Sequence, residues 1–320
     1  ILQNFIKKLF VITNKYLVNE ANLYSSLFLK YNINCKIKEV LNEDIPTEII
    51  EEVKNNNNSF LFIIGFFQIN NFKKLLDIKD KVLIYQIDQQ QLMGDKKREI
   101  FFSRLMPFDN IIEFSNRNNL IHKKVDYMGP LINSNFNYVN KEIDILFFAS
   151  KSDRRINIIE YLLNTKKYKI VITSQIFGEE LKHLIRRSKI VLNIHFNEKS
   201  SLEIFRINLA LSCQAIVISE NPTSNQEAYL FDLYKDLVNF VPLLKINKDY
   251  EMLSIRIDQI LKNNNNFNYK PNQLEQINKI NKINENVLFK NLCKMKINDK
   301  INILIRNTYR PTYFKKCIDS

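Results

Sequence analysis

Two patterns of apolar and polar positions alternate along this chain of 320 residues. Continuous apolar runs are typical of strands that are covered on both faces of a parallel sheet, and apolar residues three or four positions apart are typical of amphipathic helices. In the first part of the chain the continuous runs are SFLFIIGFF (59–67), KVLIYQI (81–87) and NIIEFS (110–115). The segments between them predict surface connections or helices.

A second and more regular series follows YMGPL (127–131), whose Gly-Pro pair predicts an interdomain hinge. Strand-like and helix-like stretches then alternate, which is the order of parallel βαβ units. The predicted strands are 142–150, 168–174, 189–196 and 215–220, and the predicted helices are 153–165, 178–188 and 202–212, with closing helices over 251–263 and 272–292.

These patterns predict an α/β fold with two doubly wound parallel sheets. The length is suited to two domains. We expect an N-terminal domain over residues 1–128, a second domain over 129–262, and a closing helix and linker over 263–300.

Unusual polar residues occur where the strands of the second domain end. Ligands of open parallel sheets bind beyond the carboxyl ends of the strands, where helix N-termini present free N–H groups and positive potential to a phosphate. The residues expected at this edge are Ser150, Lys151, Arg154, Arg155, Asn193, His195, Ser200, Ser201, Glu203, Arg206, Ser219 and Glu220. Arginines can bind a diphosphate and carboxylates can accept from sugar hydroxyls, so the edge predicts a site for a nucleoside diphosphate.

Each of these residues also has a purely structural interpretation. Ser200 and Glu203 fit the S-x-x-E pattern of a helix capping box. Arg206 lies one turn after Glu203 and could form a surface ion pair with it, and His195 could be satisfied within the end of the sheet. The arginine pair after the first strand opposes the helix dipole, which argues against a stabilising role. The prediction therefore depends on the clustering and not on any one residue.

Composition narrows the possible partners. The formal net charge of +13 indicates either an anionic partner or a lysine-rich solvated surface. The sequence has no Arg-rich tract, RNP-like aromatic motif or zinc spacing, so we do not expect a nucleic-acid partner. Its 4 cysteines lack metal-ligand spacing and are typical of reduced thiols, which predicts a cytoplasmic protein. We expect no transmembrane segment, because the longest apolar run, FLFIIGFF (60–67), is too short to span a bilayer.

The segment SKIVLNIHFNEKSSLEIFRINLALSCQAIVISE (188–220) resembles the donor-domain core of GT-B-type glycosyltransferases. The similarity is to a CgeB-like and large-virus group, in which K-I-x-L-N-I-H, L-E-x-x-R-I and V-V-S-E recur. FGEELKHLIRRSK (177–189) matches the preceding helix of the group. In the first domain, YQIDQQ (85–90) and EFSNRN (113–118) resemble its Y-Q-L-E-Q and Y-S-x-x-N segments, with Asp88 where glutamate is usual.

The resemblance implies two Rossmann-like domains that face each other across a cleft. It also implies transfer of a hexosyl or deoxyhexosyl group from a nucleoside-diphosphate-sugar to a hydroxyl of a glycan or glycoprotein. The donor site implied in the second domain comprises Arg154, Lys189, Asn193, His195, Ser201, Glu203, Arg206 and Glu220. Arg154 or Arg206 would neutralise the leaving diphosphate in place of a metal. No D-x-D motif occurs, so we expect no metal and no cofactor other than the donor substrate.

Asp88 is the candidate base for the acceptor hydroxyl, and its alternative role is that of a turn residue at a strand end.

Two positions depart from the GT-B pattern. Leu209 stands where many members have the ribose-binding glutamate of E-x7-E, which leaves Glu203 or Glu220 for the ribose, and Ala149 replaces a common glycine. These departures leave open an altered donor preference or a non-catalytic module that scaffolds a neighbouring transferase.

The C-terminal segment INILIRNTYRPTYFKKCIDS (301–320) resembles the start of a family 2, GT-A-type glycosyltransferase domain. In that resemblance Thr308 and Arg310 would lie near the nucleotide site of the second enzyme. Only the first strand and turn are present, which implies a larger, multi-domain glycosyltransferase that continues beyond Ser320. The alternative is an ordinary closing strand and helix.

Overall fold

The computed structural model describes residues 6–14, 17–40, 44–66, 69–88, 93–116, 125–134, 139–245, 247–263 and 269–295. The GT-A-like segment over 301–320, with Thr308 and Arg310, lies outside these ranges. The last residues of the two first-domain motifs, 89–90 and 117–118, also lie outside them.

The first sheet has six strands, all from the first part of the chain. Its strands are β1 (Lys8–Thr13), β2 (Asn34–Glu39), β3 (Ser59–Ile64), β4 (Val82–Gln86), β5 (Ile111–Glu113) and β6 (Asp126–Tyr127). Its helices are α1 (Val18–Lys30), α2 (Thr47–Asn55) and α3 (Asp95–Leu105), with a 3₁₀ segment over Phe72–Lys81. The strands are parallel in the order β2-β1-β3-β4-β5-β6, and every residue of β3 and β4 is buried.

The second sheet follows the predicted alternation closely. Its strands are β7 (Ile143–Phe148), β8 (Ile170–Thr173), β9 (Ser188–Asn193), β10 (Ile216–Glu220) and β11 (Val238–Val241). Its helices are α4 (Asp153–Asn164), α5 (Gly178–Arg186), α6 (Ile204–Ser212), α7 (Ala228–Tyr234) and α8 (Asn247–Asn263), and α9 (Pro271–Lys294) follows them. The strands are parallel in the order β11-β10-β9-β7-β8.

The winding of the second sheet reverses between β7 and β9. Helices α4 and α8 share a core with one face of the sheet, through residues such as Ile158, Ile257 and Ile190. Right-handed crossovers place α5 and α6 on the opposite face, because the chain then moves in the other direction along the sheet. The loops after β7 and β9 consequently lead to opposite faces, and the carboxyl edge between them is where doubly wound sheets bind ligands.

Both sheets therefore have the doubly wound strand order in which the first strand lies between the second and the third. The predicted fold class, α/β with two Rossmann-like doubly wound parallel sheets, is confirmed.

The chain divides into two compact units. Unit 1 comprises Ile1–Met128 and Lys282–Ser320, and unit 2 comprises Gly129–Asn281. Helix α9 thus begins in unit 2 and ends in unit 1.

Hydrogen bonds hold the segment on both sides of Gly129, where the sequence predicted a hinge. In unit 1 the carbonyl of Met128 accepts a hydrogen bond from the Tyr85 hydroxyl (2.7 Å). In unit 2 the side-chain amide of Asn281 pairs with both backbone groups of Ile132, at 2.8 Å to its N–H and 2.7 Å to its carbonyl. The change from one unit to the other therefore occurs over very few residues. Within the described ranges, no helix is both long enough and apolar enough to cross a membrane.

Candidate functional site

A cluster of charged side chains lies at the carboxyl edge of the second sheet, beside the point where its winding reverses. It comprises Arg154 and Arg155 in the first turn of α4, Asn193 and His195 at the end of β9, Glu203 and Arg206 at the start of α6, and Glu220 at the end of β10. Because α4 and α6 cover opposite faces of the sheet, their first turns meet across its edge. Most of the cluster therefore comes from the segments that follow β7 and β9, which lead to opposite faces of the sheet.

Arg154 and Glu220 form a clamp within this cluster. Arg154 Nη1 lies 2.9 Å from Glu220 Oε2, and Nη2 contacts Oε1. The Glu220 carboxylate also accepts hydrogen bonds from the backbone N–H groups of His195 (2.8 Å) and Leu244 (2.7 Å). These four donors occupy the lone pairs of a completely buried carboxylate, so Glu220 has no acceptor left for a ribose hydroxyl. Of the two carboxylates proposed for the ribose, only Glu203 keeps some exposure.

Arg155 forms the second ion pair of the cluster and is almost completely buried. Its Nη2 contacts Glu203 Oε1, while Nε and Nη1 donate to the carbonyl groups of Ile194 and Ser150, each at 2.9 Å. Burial, followed by the charge of Arg206, lowers the pKa of Arg155 to about 10. The guanidinium group remains charged at neutral pH and crosses the sheet edge from α4 to the start of α6.

Glu203 is the carboxylate that the remaining cationic groups share. Its Oε2 lies 3.3 Å from Arg206 Nη1 and 3.6 Å from His195 Nδ1. Burial alone would raise the pKa of Glu203, but Arg206, His195 and Arg155 together lower that pKa to about 2. Glu203 is therefore ionised at any pH near neutrality.

Arg206 is a part of the cluster that keeps donors for a ligand. Its Nη1 donates to Asn193 Oδ1 (2.6 Å), and Asn193 is in turn held by a hydrogen bond from Nδ2 to Ser219 Oγ (2.9 Å). The side chain of Arg206 is 14% exposed. Among the residues that the structure describes, no acceptor contacts its Nε or Nη2, so the guanidinium group retains unused donors.

His195 is completely buried behind these groups. Its ring Nε2 lies 2.9 Å from the carbonyl oxygen of Asn221, and its Nδ1 faces Glu203. Burial lowers the pKa of His195, but the contact with Glu203 and the charges of Glu203 and Glu220 outweigh burial and raise it above the ordinary value. The expected role of His195 as a group that contacts the donor is not compatible with this burial.

The capping-box interpretation of Ser200 and Glu203 is wrong. Helix α6 begins at Ile204, and Glu203 occupies the N-cap position without a side-chain capping bond. Ser200 instead lies buried in the preceding loop, where its Oγ accepts a hydrogen bond from the backbone N–H of Asn197 (3.0 Å). Ser201 is also completely buried in this loop.

The structure corrects the placement of Lys189. This residue lies at the amino end of β9, where its Nζ is 2.7 Å from Asp144 Oδ1. Asn193 is four residues further along the strand, which corresponds to about 13 Å at the usual rise per residue. Lys189 therefore lies near the opposite edge of the sheet and does not belong to the cluster.

Asp88 is half-buried in unit 1, two residues after β4. The buried Gln86 holds this turn, since its Nε2 donates to the carbonyl of Asp88 (3.2 Å) and its Oε1 accepts from the N–H of Ile87 (2.9 Å). Burial raises the pKa of the Asp88 carboxyl to about 6, and Lys97 partly offsets the increase. A carboxyl group with this pKa can exchange a proton near neutral pH.

Two buried charged residues, one in the cluster and one beside it, were not assigned to the donor site. Arg155 was expected at the edge but was not assigned to the donor site, although the Arg-Arg pair at the start of a helix was a signal for both. Glu227 is completely buried after β10, and its carboxylate accepts a hydrogen bond from the N–H of Leu202 (3.2 Å). A single glutamate at the end of a polar loop offered no comparable signal. Within the described part of the chain, no group of three or more His, Cys, Asp or Glu side chains is arranged to hold a metal ion.

Comparison with solved structures identifies relatives in fold. The chain is similar to a UDP-forming α,α-trehalose-phosphate synthase from Burkholderia xenovorans, with a TM-score of 0.55 and 8% identity over 91% of this chain and 99% of that chain. It is less similar to the UDP-GlcNAc 2-epimerase of Methanocaldococcus jannaschii, with a TM-score of 0.44 and 13% identity over 82% of this chain and 94% of that chain.

No family model matches the sequence, and no curated protein is significantly similar to it. The similarity to the synthase therefore shows the fold alone, which is the two-sheet α/β architecture of GT-B glycosyltransferases. The narrower resemblance to the CgeB-like and large-virus group stays a prediction.

Proposed function

We propose that this chain is a glycosyltransferase that binds a nucleoside-diphosphate-sugar at the charged cluster of unit 2. The sugar is transferred to a hydroxyl group of a glycan or glycoprotein. The observation that supports the proposal is that Arg155, Arg206 and His195 share the single carboxylate of Glu203 at the reversal point of the sheet.

The charges of the cluster favour an anionic ligand. Three guanidinium groups face two carboxylates, which leaves one net positive charge, and protonation of His195 adds another. The clamp between Arg154 and Glu220 is balanced locally, so the surplus lies around Glu203 and Arg206. A diphosphate offers several acceptor oxygens to a guanidinium group, and the nearby starts of α4 and α6 add positive potential.

The same groups suit the chemistry of sugar transfer. A bond forms between the acceptor oxygen and the anomeric carbon, the bond between the anomeric carbon and the diphosphate oxygen breaks, and negative charge develops on the leaving diphosphate. Arg206 supplies the compensating charge and hydrogen bonds, so we propose that the reaction needs no metal ion. In unit 1, Asp88 accepts the proton of the acceptor hydroxyl. Transfer that persists in an excess of EDTA is the expected result, and a strict requirement for a divalent cation would contradict this part of the proposal.

A non-catalytic module with a nucleotide-sugar fold is the second candidate. Two observations favour it. Leu209 in the second turn of α6 replaces the ribose-binding glutamate of E-x7-E, and the Glu220 carboxylate already accepts hydrogen bonds from four protein donors. The two candidates differ in turnover. A module binds the diphosphate without consuming any nucleotide sugar, whereas the enzyme hydrolyses its donor slowly or transfers the sugar to an acceptor.

The test is calorimetric titration of the wild-type chain and of Arg206→Ala with UDP and GDP. Hydrogen bonds to charged groups are worth about 1.5–3 kcal/mol, so Arg206→Ala should weaken binding about 10- to 150-fold. Arg256→Ala is the matched control, because Arg256 is an exposed arginine of the same unit that also donates to an asparagine, Asn239 Oδ1 (2.9 Å). Its affinity should equal that of the wild type. Failure of the wild-type chain to bind either nucleotide would overturn the proposal.

A further inference from the structure

The partners of the His195 ring determine where its hydrogens lie. Nε2 lies 2.9 Å from the carbonyl oxygen of Asn221, and a carbonyl oxygen only accepts hydrogen bonds, so Nε2 carries a hydrogen. Nδ1 lies 3.6 Å from Glu203 Oε2. Among the described residues, neither His195 Nδ1 nor Glu203 Oε2 forms a hydrogen bond.

This arrangement favours the charged form of the ring. A neutral imidazole with its hydrogen on Nε2 would direct the lone pair of Nδ1 at an ionised, buried carboxylate. A second proton on Nδ1 replaces this repulsion by an ion pair with Glu203. Two further charged groups lie beside His195. The Glu220 carboxylate accepts a hydrogen bond from the His195 backbone N–H, and Arg154, which is paired with Glu220, donates a hydrogen bond to the His195 carbonyl oxygen. The positively charged Arg155 and Arg206 contact Glu203 rather than the ring.

We propose that His195 is a positioning residue that links protonation to binding of the diphosphate group of the donor. As an imidazolium it holds Glu203 Oε2, which leaves the guanidinium group of Arg206 available to the ligand. The inference rests on the proposed function, since it concerns the same anion site. His195 itself does not contact the ligand, because the ring is completely buried.

Loss of the proton has two effects in the same direction. The cluster loses one positive charge, and Oε2 of Glu203 is left to Arg206, which then turns its donors towards the protein. Diphosphate affinity should therefore fall as the pH rises through the pKa of His195 in the free protein. The loss should approach tenfold per pH unit, which is the limit for one linked proton. Binding in this range should take up as much as one proton per diphosphate.

The experiment is calorimetric titration with UDP between about pH 7 and about pH 9, where the terminal phosphate, with a pKa of about 6, is already ionised. Repetition in two buffers of different ionisation enthalpy counts the protons taken up. His195→Asn places a neutral donor near the position of Nδ1 and should bind UDP with little pH dependence and no proton uptake. His183→Asn, at an exposed histidine of α5, is the control and should behave as the wild type does.

Ring nitrogen spectra of the wild-type protein test the same inference without a substitution, since the chain has only 3 histidines. They should show both ring nitrogens of His195 protonated at neutral pH. A neutral His195 ring, or a pH dependence of UDP binding that His195→Asn leaves unchanged, would overturn the inference and leave the proposed function standing. Absence of UDP and GDP binding at every pH would overturn the proposed function itself.

Discussion

Glu203→Gln removes the counter-charge on which the cluster depends while it preserves the shape of the side chain. Arg155 and Arg206 keep their positions but lose the negative partner that compensates their burial. The substitution therefore separates the electrostatic role of Glu203 from its packing.

The size of the effect follows from burial. Removal of one partner of a buried ion pair costs about 3–5 kcal/mol. Glu203 is 11% exposed and glutamine can still accept a hydrogen bond from Arg155, so we expect the lower end, about 3 kcal/mol. For a domain of this size, 1 kcal/mol corresponds to about 2–4 °C, which predicts a fall in Tm of about 6–12 °C.

Thermal unfolding followed by circular dichroism measures this change. The control is Glu142→Gln, because Glu142 pairs with Arg187 at the surface of the same unit and such pairs contribute at most about 1 kcal/mol. UDP at about 100 times its Kd should add about 2.7 kcal/mol and restore much of the stability of Glu203→Gln. Equal stability of the two variants would show that the cluster does not depend on the charge of Glu203.

Three further predictions concern other parts of the molecule. Arg154→Ala leaves the completely buried Glu220 without its cation and should lower the free energy of unfolding, measured by urea denaturation, by about 3–5 kcal/mol. The control Arg98→Ala removes an exposed ion pair and should cost at most about 1 kcal/mol. Lys189→Ala should leave UDP affinity within about twofold of the wild type, because its partly exposed pair is near the other edge of the sheet. If Asp88 is the base, its ionised form is the active one, so the transfer rate should rise with pH through about 6 and then level off, and Asp88→Asn should abolish transfer without loss of UDP affinity.

Each of these three has an outcome that contradicts it. Equal losses for the two arginine variants would show that the clamp is not a buried ion pair of consequence. A large loss of UDP affinity in Lys189→Ala would return that residue to the donor site. A rate that does not change between about pH 5 and about pH 7 would exclude Asp88 as the base.

Most central strands could be predicted because burial on both faces leaves a continuous apolar run. Strand β1 was not predicted, although it is buried and lies in the interior of its sheet. The runs over 59–67 and 189–196 correspond to β3 and β9, whose buried positions need no polar alternation. Strand β2, NCKIKE, was not predicted. It lies at the edge of its sheet and is largely exposed, so its sequence has no apolar signature. Strand β11 has four residues and is an edge strand as well, which gives too short a pattern to recognise.

The clustering of these side chains was predictable, but the ion pairs among them were not. Strand ends of a parallel sheet share one edge, so polar residues at several strand ends predict a cluster. Successive side chains on a helix, however, point in directions about 100° apart. Arg154 therefore pairs with Glu220, whereas Arg155 pairs with Glu203. The error for Lys189 has the opposite cause. It is close to Asn193 in sequence, but an extended strand separates the two residues along the sheet.

A crystal structure of the chain with bound UDP is the most direct measurement of the central claim that unit 2 binds a diphosphate at this edge. The diphosphate should lie within hydrogen-bond distance of Arg206 Nε or Nη2, with Arg154 still paired with Glu220. A diphosphate bound away from the ends of β7 and β9, with Arg206 still turned to Asn193 and Glu203 alone, would contradict it.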